Sequence, residues 1–233
     1  MKTLFTALLF TTTCSAFAQT DINILLNKAK AKIETVNDYT ATGIMKTNVA
    51  FLKVPIAKVN VYFKKPNKLK VKSERGISFI PKGAVSINLN NLTGSNQFTV
   101  IDAGSEKVNG QMLRVAKLLP TDDNSDVVLS TVYIDEATLL IKKAKTTTRD
   151  NGTYELQMSY GTYAANGLPD KIVFSFNAKD YKLPKGVTFD FDDGAAAKAP
   201  PTDPLKGKKG RAEITFKSYI INKGVADAIF TTK

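Results

Sequence analysis

Lys58 to Lys72 reads K-V-N-V-Y-F-K-K-P-N-K-L-K-V-K, and its alternation decides how the rest of the chain folds. Val59, Val61 and Phe63 alternate with Lys58, Asn60, Tyr62 and Lys64, the period-2 pattern of a strand with one dry face. Lys65-Pro66-Asn67 then breaks the ladder, because proline has no N–H to donate and asparagine tolerates turn geometry. Leu69 and Val71 resume the alternation between Lys68, Lys70 and Lys72. The stretch predicts a hairpin with an apolar inner face and a lysine-studded outer one. Function turns on what the inner face covers.

Upstream, Asp21 is placed to cap a helix running to about Val36. Ile22, Leu25, Leu26, Ala29, Ile33 and Val36 recur at three- and four-residue spacing, with lysines and asparagine between them. Tyr39 to Val49 reads as a first strand. Downstream, Gly76 to Leu92 is apolar without a clean period and is interrupted by Pro81 and Gly83. It is either a buried irregular connection or a mobile lid over an apolar opening.

From Gln97 onward the pattern is a meander. Phe98 to Ile101 leads into an expected turn at Asp102-Ala103-Gly104. Asn109-Gly110, the strongest short hairpin signal, joins Lys107-Val108 to Gln111–Leu118. Val127–Ile134, Leu139–Thr148, Thr153–Tyr160, Lys171–Asn177 and Arg211–Ile221 follow as strands between turn residues. Residues 192–210 are rich in Pro, Gly, Ala and Lys and predict a flexible insertion. One helix and roughly ten antiparallel strands make a mainly β chain, whose single wide sheet curls into a barrel or half-barrel.

The 233 residues suffice for one large all-β domain, expected over 19–233. Residues 1–18 read as a signal peptide: Lys2, an apolar run from Leu4 to Phe10, and an Ala16-Phe17-Ala18 cleavage site. An exported, soluble protein is expected. Cys14 is preceded by three threonines rather than a lipobox, so an acyl anchor is not expected, and cleavage after Ala18 removes the only cysteine. The formal charge of +12, or +11 without Lys2, usually suggests nucleic acid, which export makes improbable. Lysines at every second strand position read instead as a solvated face, with attraction to anionic membrane surfaces as the alternative.

Histidine is absent, which removes the commonest general base and metal ligand. Without a mature cysteine, thiol catalysis and ordinary zinc sites also fall away. Asp122, Asn124 and Asp126 could begin a calcium loop, but Val127 and Tyr133 occupy the glycine and closing glutamate positions, so the segment reads as a turn. Asp190, Asp192 and Asp193 read as solvated, and Glu155 falls on a polar strand face. No nucleophile elbow, P-loop or dinucleotide fingerprint occurs, and neither catalysis nor a cofactor is expected.

What remains is apolar surface. Val59, Val61, Phe63, Leu69 and Val71 could share one concavity with Phe98, Val100, Leu113 and Val115. Tyr154, Leu156, Met158, Ile172, Phe174, Ile214 and Phe216 could complete it. These side chains form either a solid core under the helix or a cleft for something greasy. One helix is thin cover for so wide a sheet, and a large exposed apolar patch implies a ligand or partner.

The order of features resembles the periplasmic outer-membrane lipoprotein carrier family (LolA-like). The likeness rests on the amphipathic helix, Tyr39-Thr40-Ala41, Tyr62-Phe63-Lys64-Lys65-Pro66-Asn67-Lys68-Leu69, Tyr133-Ile134-Asp135 and Gly167-Leu168-Pro169-Asp170-Lys171. The resemblance implies an unclosed half-barrel with a helical lid over an apolar cavity that holds acyl chains. It further implies a monomer that takes acylated lipoproteins, or other lipids, from an inner-membrane transporter to an outer-membrane acceptor. Ile77, Phe79 and Ile80 fall in the lid segment, and Lys65 stands where the family has an arginine tied to lid closure and one-way transfer. Lysine lacks the planar five-donor fork of arginine. A periplasmic sensor or regulator on the same half-barrel, binding a partner's segment, is the alternative from another class. A structural surface protein comes third and an exported enzyme last.

Overall fold

A computed structural model describes residues 20–48, 56–66, 68–73, 98–150, 152–177 and 209–231. The expected signal peptide, Asn67, the lid residues Ile77, Phe79 and Ile80, and most of the 192–210 insertion lie outside the described residues.

Helix α1 spans Ile22–Glu34. The Asp21 side chain accepts from the backbone N–H groups of Asn23 at 2.8 Å and Ile24 at 3.3 Å, two of the donors that a helix start leaves unpaired. Those bonds hold its carboxyl below the usual aspartate range. Ile22, Leu25, Leu26 and Ala29 are the helix's buried residues, so the spacing in the sequence and the dry stripe coincide.

Ten strands follow: β1 Asp38–Asn48, β2 Ala57–Lys64, β3 Lys68–Ser73, β4 Phe98–Val108, β5 Gln111–Pro120, β6 Val127–Asp135, β7 Leu140–Thr148, β8 Gly152–Ser159, β9 Lys171–Asn177 and β10 Lys209–Ile221. They form one antiparallel sheet in the order β3-β2-β1-β10-β9-β8-β7-β6-β5-β4. The last strand inserts between β1 and β9, tying the two ends of the chain together. The sheet does not close on itself, and the architecture is an open half-barrel with one N-terminal helix.

Turn chemistry sets several registers. Asn109 and Gly110 take φ of 49° and 86°, the left-handed pair that joins β4 to β5. The turn expected at Asp102-Ala103-Gly104 is instead a bulge within β4, where the pairing to β5 slips between Asp102 and Ser105. Gly104, at φ 76°, donates its N–H to Asp102 Oδ1 at 2.8 Å. A bulge uses the same residues as a turn without reversing the strand. Two short 3-10 turns, Ala164–Asn166 and Asp227–Ile229, complete the elements.

Candidate functional site

The two faces of the sheet separate most of the predicted apolar residues from the lysines. On the helix-bearing face, Ile22, Leu25, Leu26 and Ala29 of α1 pack on Ala116, Leu118, Val132, Ile134, Ile141, Ala144 and Met158. Phe98, Val100 and Ile172 border that cluster. On the β10-β1-β2-β3 side, Val59, Val61 and Phe63 pack with Val36, Ala41, Met45, Leu168 and Tyr219, bordered by Leu69, Val71, Ile214 and Phe216. Between these, Leu156 stands opposite Phe174, and Tyr154 opposite Phe176. The Tyr154 and Phe174 rings lie 5.6 Å apart and the Phe174 and Phe176 rings 5.3 Å apart.

Two predicted residues are elsewhere. Leu113 and Val115 lie on the opposite face, in a separate cluster with Tyr133 and Val108. The alternation along β5 is inverted by Arg114, which the pattern placed outward. Arg114 is 2% exposed and turns to the helix-bearing side, where Asp102 at 2.6 Å and Glu136 at 3.6 Å meet its guanidinium. Strands β4 and the β6–β7 turn supply those carboxylates, so an arginine can occupy a position that would otherwise demand an apolar residue.

Helix α1 is tied across one end of this face. Asp21 sits within electrostatic reach of Arg114 at its start. Lys32 Nζ donates to Thr138 O at 2.7 Å. At its end, Lys65 Nζ donates to Glu34 O and to Asn37 Oδ1, placing a cation where the last helical carbonyls carry partial negative charge. Asn222 Nδ2 donates to Thr35 O at 3.0 Å, and Asn222 Oδ1 accepts from Asn37 N at 2.7 Å. Residue 65 therefore contacts the helix terminus through a point charge and a short chain of acceptors.

Besides Arg114, the polar groups set into the helix-bearing face include hydroxyls. Ser130 and Thr146 share a buried hydrogen bond of 3.0 Å, a pair the sequence reading missed because serine and threonine there interrupt no pattern. Burial pushes the neighbouring Tyr154 phenol up to about 12. Tyr160 donates to Ile141 O at 2.8 Å and Tyr219 to Pro169 O at 2.7 Å, and burial raises both phenols further. These groups stay neutral throughout the physiological range. Glu155, as expected, is on the other face, ion-paired with Lys143 at 3.0 Å. Asp122 closes a turn by accepting from Asn124 N at 2.9 Å.

Burial is uneven. Val59, Val61, Phe63, Tyr154, Leu156, Met158 and Phe174 are buried, whereas Leu69, Val71, Phe98, Val100, Ile172, Ile214 and Phe216 are half-buried. The half-buried set includes both pairs on the edge strands β3 and β4.

Neither a family model nor a curated protein matches this sequence. Solved structures do. A domain assigned to outer membrane lipoprotein sorting, from Vibrio parahaemolyticus, is 15% identical, with 89% of this chain and 94% of that chain covered at a TM-score of 0.53. A DUF1329 family protein from Desulfovibrio piger is 13% identical, with 90% and 97% covered, at 0.56. A LolA superfamily protein from Nitrosomonas europaea is 12% identical, with 92% and 99% covered, at 0.58. Identities this low speak to the fold: the chain is a LolA-like half-barrel.

Proposed function

We propose that this protein is a soluble periplasmic carrier chaperone that holds the acyl chains of lipoproteins, or of another lipid, on the helix-bearing face and conveys them to the outer membrane. The observation that carries this reading is the half-buried apolar set on β3, β4, β9 and β10 beside a fully buried one. Apolar surface left in water costs about 25 cal/mol per Å², and an acyl chain laid on it recovers that cost. The neutral Ser130–Thr146 pair suits such a ligand, and the buried Arg114 on the same side is matched by Asp102 and Glu136 rather than left as the unpaired charge that would oppose it. The fold shared with a lipoprotein-sorting domain supports the same reading.

On this reading the protein makes and breaks no bonds. It is loaded by an inner-membrane transporter and emptied by an outer-membrane acceptor, and Lys65 holds the helix end during transfer. Among the described residues no helix is long and apolar enough to cross a membrane. Native mass spectrometry with lipid extraction, on protein purified from an exporting host, tests the proposal. A bound diacyl or triacyl species near unit stoichiometry is the expected result. An empty protein that also refuses a fluorescent fatty-acyl probe would return the face to a filled core and favour the sensor reading.

A further inference from the structure

Enclosed phenols on the sheet find acceptors. Tyr160 donates to Ile141 O at 2.8 Å, Tyr219 to Pro169 O at 2.7 Å and Tyr133 to Glu106 Oε2 at 3.3 Å. Tyr39 is an exception. It stands on β1 opposite Phe63 on β2 and Ile221 on β10, so its side chain lies with theirs on the helix-bearing face. Its ring centre is 5.2 Å from that of Phe63 and 5.3 Å from that of Tyr219. Among the described residues nothing bonds its hydroxyl, and burial pushes the phenol up, so it stays a neutral donor throughout the physiological range. The side chain is nevertheless only half-buried, which leaves part of it open to a ligand.

Enclosing a hydroxyl that makes no hydrogen bond opposes folding, and phenylalanine would pack on Phe63 and Tyr219 without that cost. Thr47, at the far end of β1, also lacks a partner, but its oxygen is sealed inside the fold. Tyr163 packs 4.8 Å from Tyr219, but it belongs to the 3-10 turn rather than to the sheet. Around Tyr39 the face is uncharged. Followed through the registers, the helix-bearing side of β1, β2, β3 and β10 carries no lysine, arginine, aspartate or glutamate at a paired position. Lys217, which the register skips at the β10 bulge, is exposed, and Lys65 is engaged by Glu34 O and Asn37 Oδ1.

We propose that Tyr39 determines specificity, its hydroxyl donating to the uncharged carbonyl of an esterified or amide-linked acyl group. The inference rests on the carrier reading and adds which part of the lipid is recognised. A carbonyl oxygen accepts from a neutral phenol and brings no charge with it. A free fatty acid would instead place its carboxylate on a face whose paired positions hold no cation. Tyr39 borders the cluster that contains Val36, just past the end of α1, so a carbonyl fixed there starts its alkyl chain at one end of the face. The chain then runs over Leu69, Val71, Ile214 and Phe216, the half-buried side chains bordering the same cluster.

Three pyrene-labelled ligands of one chain length test it: a methyl ester, the free acid and the plain hydrocarbon. The protein should bind the ester roughly 3- to 10-fold more tightly than the hydrocarbon, the range of one neutral hydrogen bond. The free acid, at neutral pH, should bind at least about tenfold more weakly than the ester. In Tyr39→Phe, which keeps the ring contacts, the ester should no longer be preferred to the hydrocarbon. Tyr160→Phe removes a hydroxyl already used by Ile141 O and should keep the preference. The carbonyl stretch of an isotope-labelled ester should move to lower frequency on binding the unaltered protein and not on binding Tyr39→Phe, a shift that packing alone does not produce. Thermal unfolding checks that both variants fold. Equal affinity for all three ligands, or an ester preference that survives in Tyr39→Phe, would overturn the inference and leave the carrier reading standing. Failure to bind any of the three would overturn both.

Discussion

Under α1, strands β5 to β8 bury aliphatic side chains almost completely: Leu25, Leu118, Val132, Ile134 and Ile141 form one sealed layer. Across the same face, β10, β1, β2 and β3 are built differently. There Tyr219 is ringed by Tyr39 at 5.3 Å, Tyr163 at 4.8 Å and Phe216 at 5.0 Å, and Leu69, Val71, Ile214 and Phe216 stay half-exposed. Apart from β5, strands in both halves follow the same two-residue alternation, so strand patterning alone does not separate a finished core from a face that can accept something. Cover separates them. Among the described residues the helix lies over one half, and on the other Leu69, Val71, Ile214 and Phe216 keep part of their apolar surface accessible, where its transfer from water is favourable.

The largest contrast available is between faces. Phe174→Asp places a charge among Tyr154, Leu156 and Phe176, and Val115→Asp places one in the cluster with Leu113 and Tyr133. Each should cost about 3 to 5 kcal/mol in urea unfolding, because each buries an unpaired carboxylate and removes apolar packing. Only Phe174→Asp should abolish uptake of a fluorescent acyl probe. Loss of uptake in both folded variants would place the binding surface elsewhere, and alanine at the two positions reads the same contrast more gently.

Within the helix-bearing face, Leu25→Ala and Leu69→Ala compare the sealed half with the half-exposed one. Leu25 is fully enclosed by the cluster under α1, so its truncation should cost about 3 kcal/mol. Leu69 on the edge strand should cost about 1 kcal/mol, since only part of its side chain leaves protein contact. Probe affinity should respond in the opposite order, falling more for Leu69→Ala. A reversed order in either readout would mean that cover does not divide the face.

Lys65→Leu tests how the helix is held over the boundary between the halves. Losing the contacts to Glu34 O and Asn37 Oδ1 should cost about 1 kcal/mol of stability, the usual value of a cation at a helix C-terminus. Amide exchange over the last turn of α1 should quicken, and acyl transfer should suffer more than folding does. Unchanged exchange at Thr35 and Val36 would show that Asn222 alone secures that end.

Much of this was written in the residues. Asp21 before an apolar three–four spacing marked the helix start, and Asn109-Gly110 marked a hairpin that forms as expected. Alternation in β2, β3, β8 and β9 assigned faces directly. It failed in β5, where Val115 and Ala116 are adjacent and both buried, so the pattern has no phase of its own. Arg114 was then the natural outward marker, and only the carboxylates of Asp102 and Glu136, distant in sequence, make it an inward one. The contact of Lys65 with the helix was equally unreadable from spacing, because it joins residues 31 apart through a backbone carbonyl that no side chain signals.

The smallest effect concerns the C-terminal segment, which Lys64, Lys68 and Lys70 of the lysine-bearing hairpin hold. Hydrogen bonds from Lys68 and Lys64 hold the Asp227 carboxyl below the usual aspartate range. A carboxylate whose pKa is lower folded than unfolded adds stability above its unfolded value of about 3.9, and that contribution fades as acid carries the pH through the lower folded value. Because Asp227 is exposed, the loss should be local rather than global. Amide exchange at Ile229 and Phe230, whose N–H groups bond to Ala226 O and Asp227 O, should rise in that acid window while the sheet stays protected. Asp227→Asn should show the faster exchange at every pH, and salt should mimic acid. If exchange in this segment ignores pH, salt and the substitution alike, the hairpin lysines are not what fastens it. Asn222 and the Gly224 N–H bond to Asp38 Oδ1 would then carry the attachment by themselves.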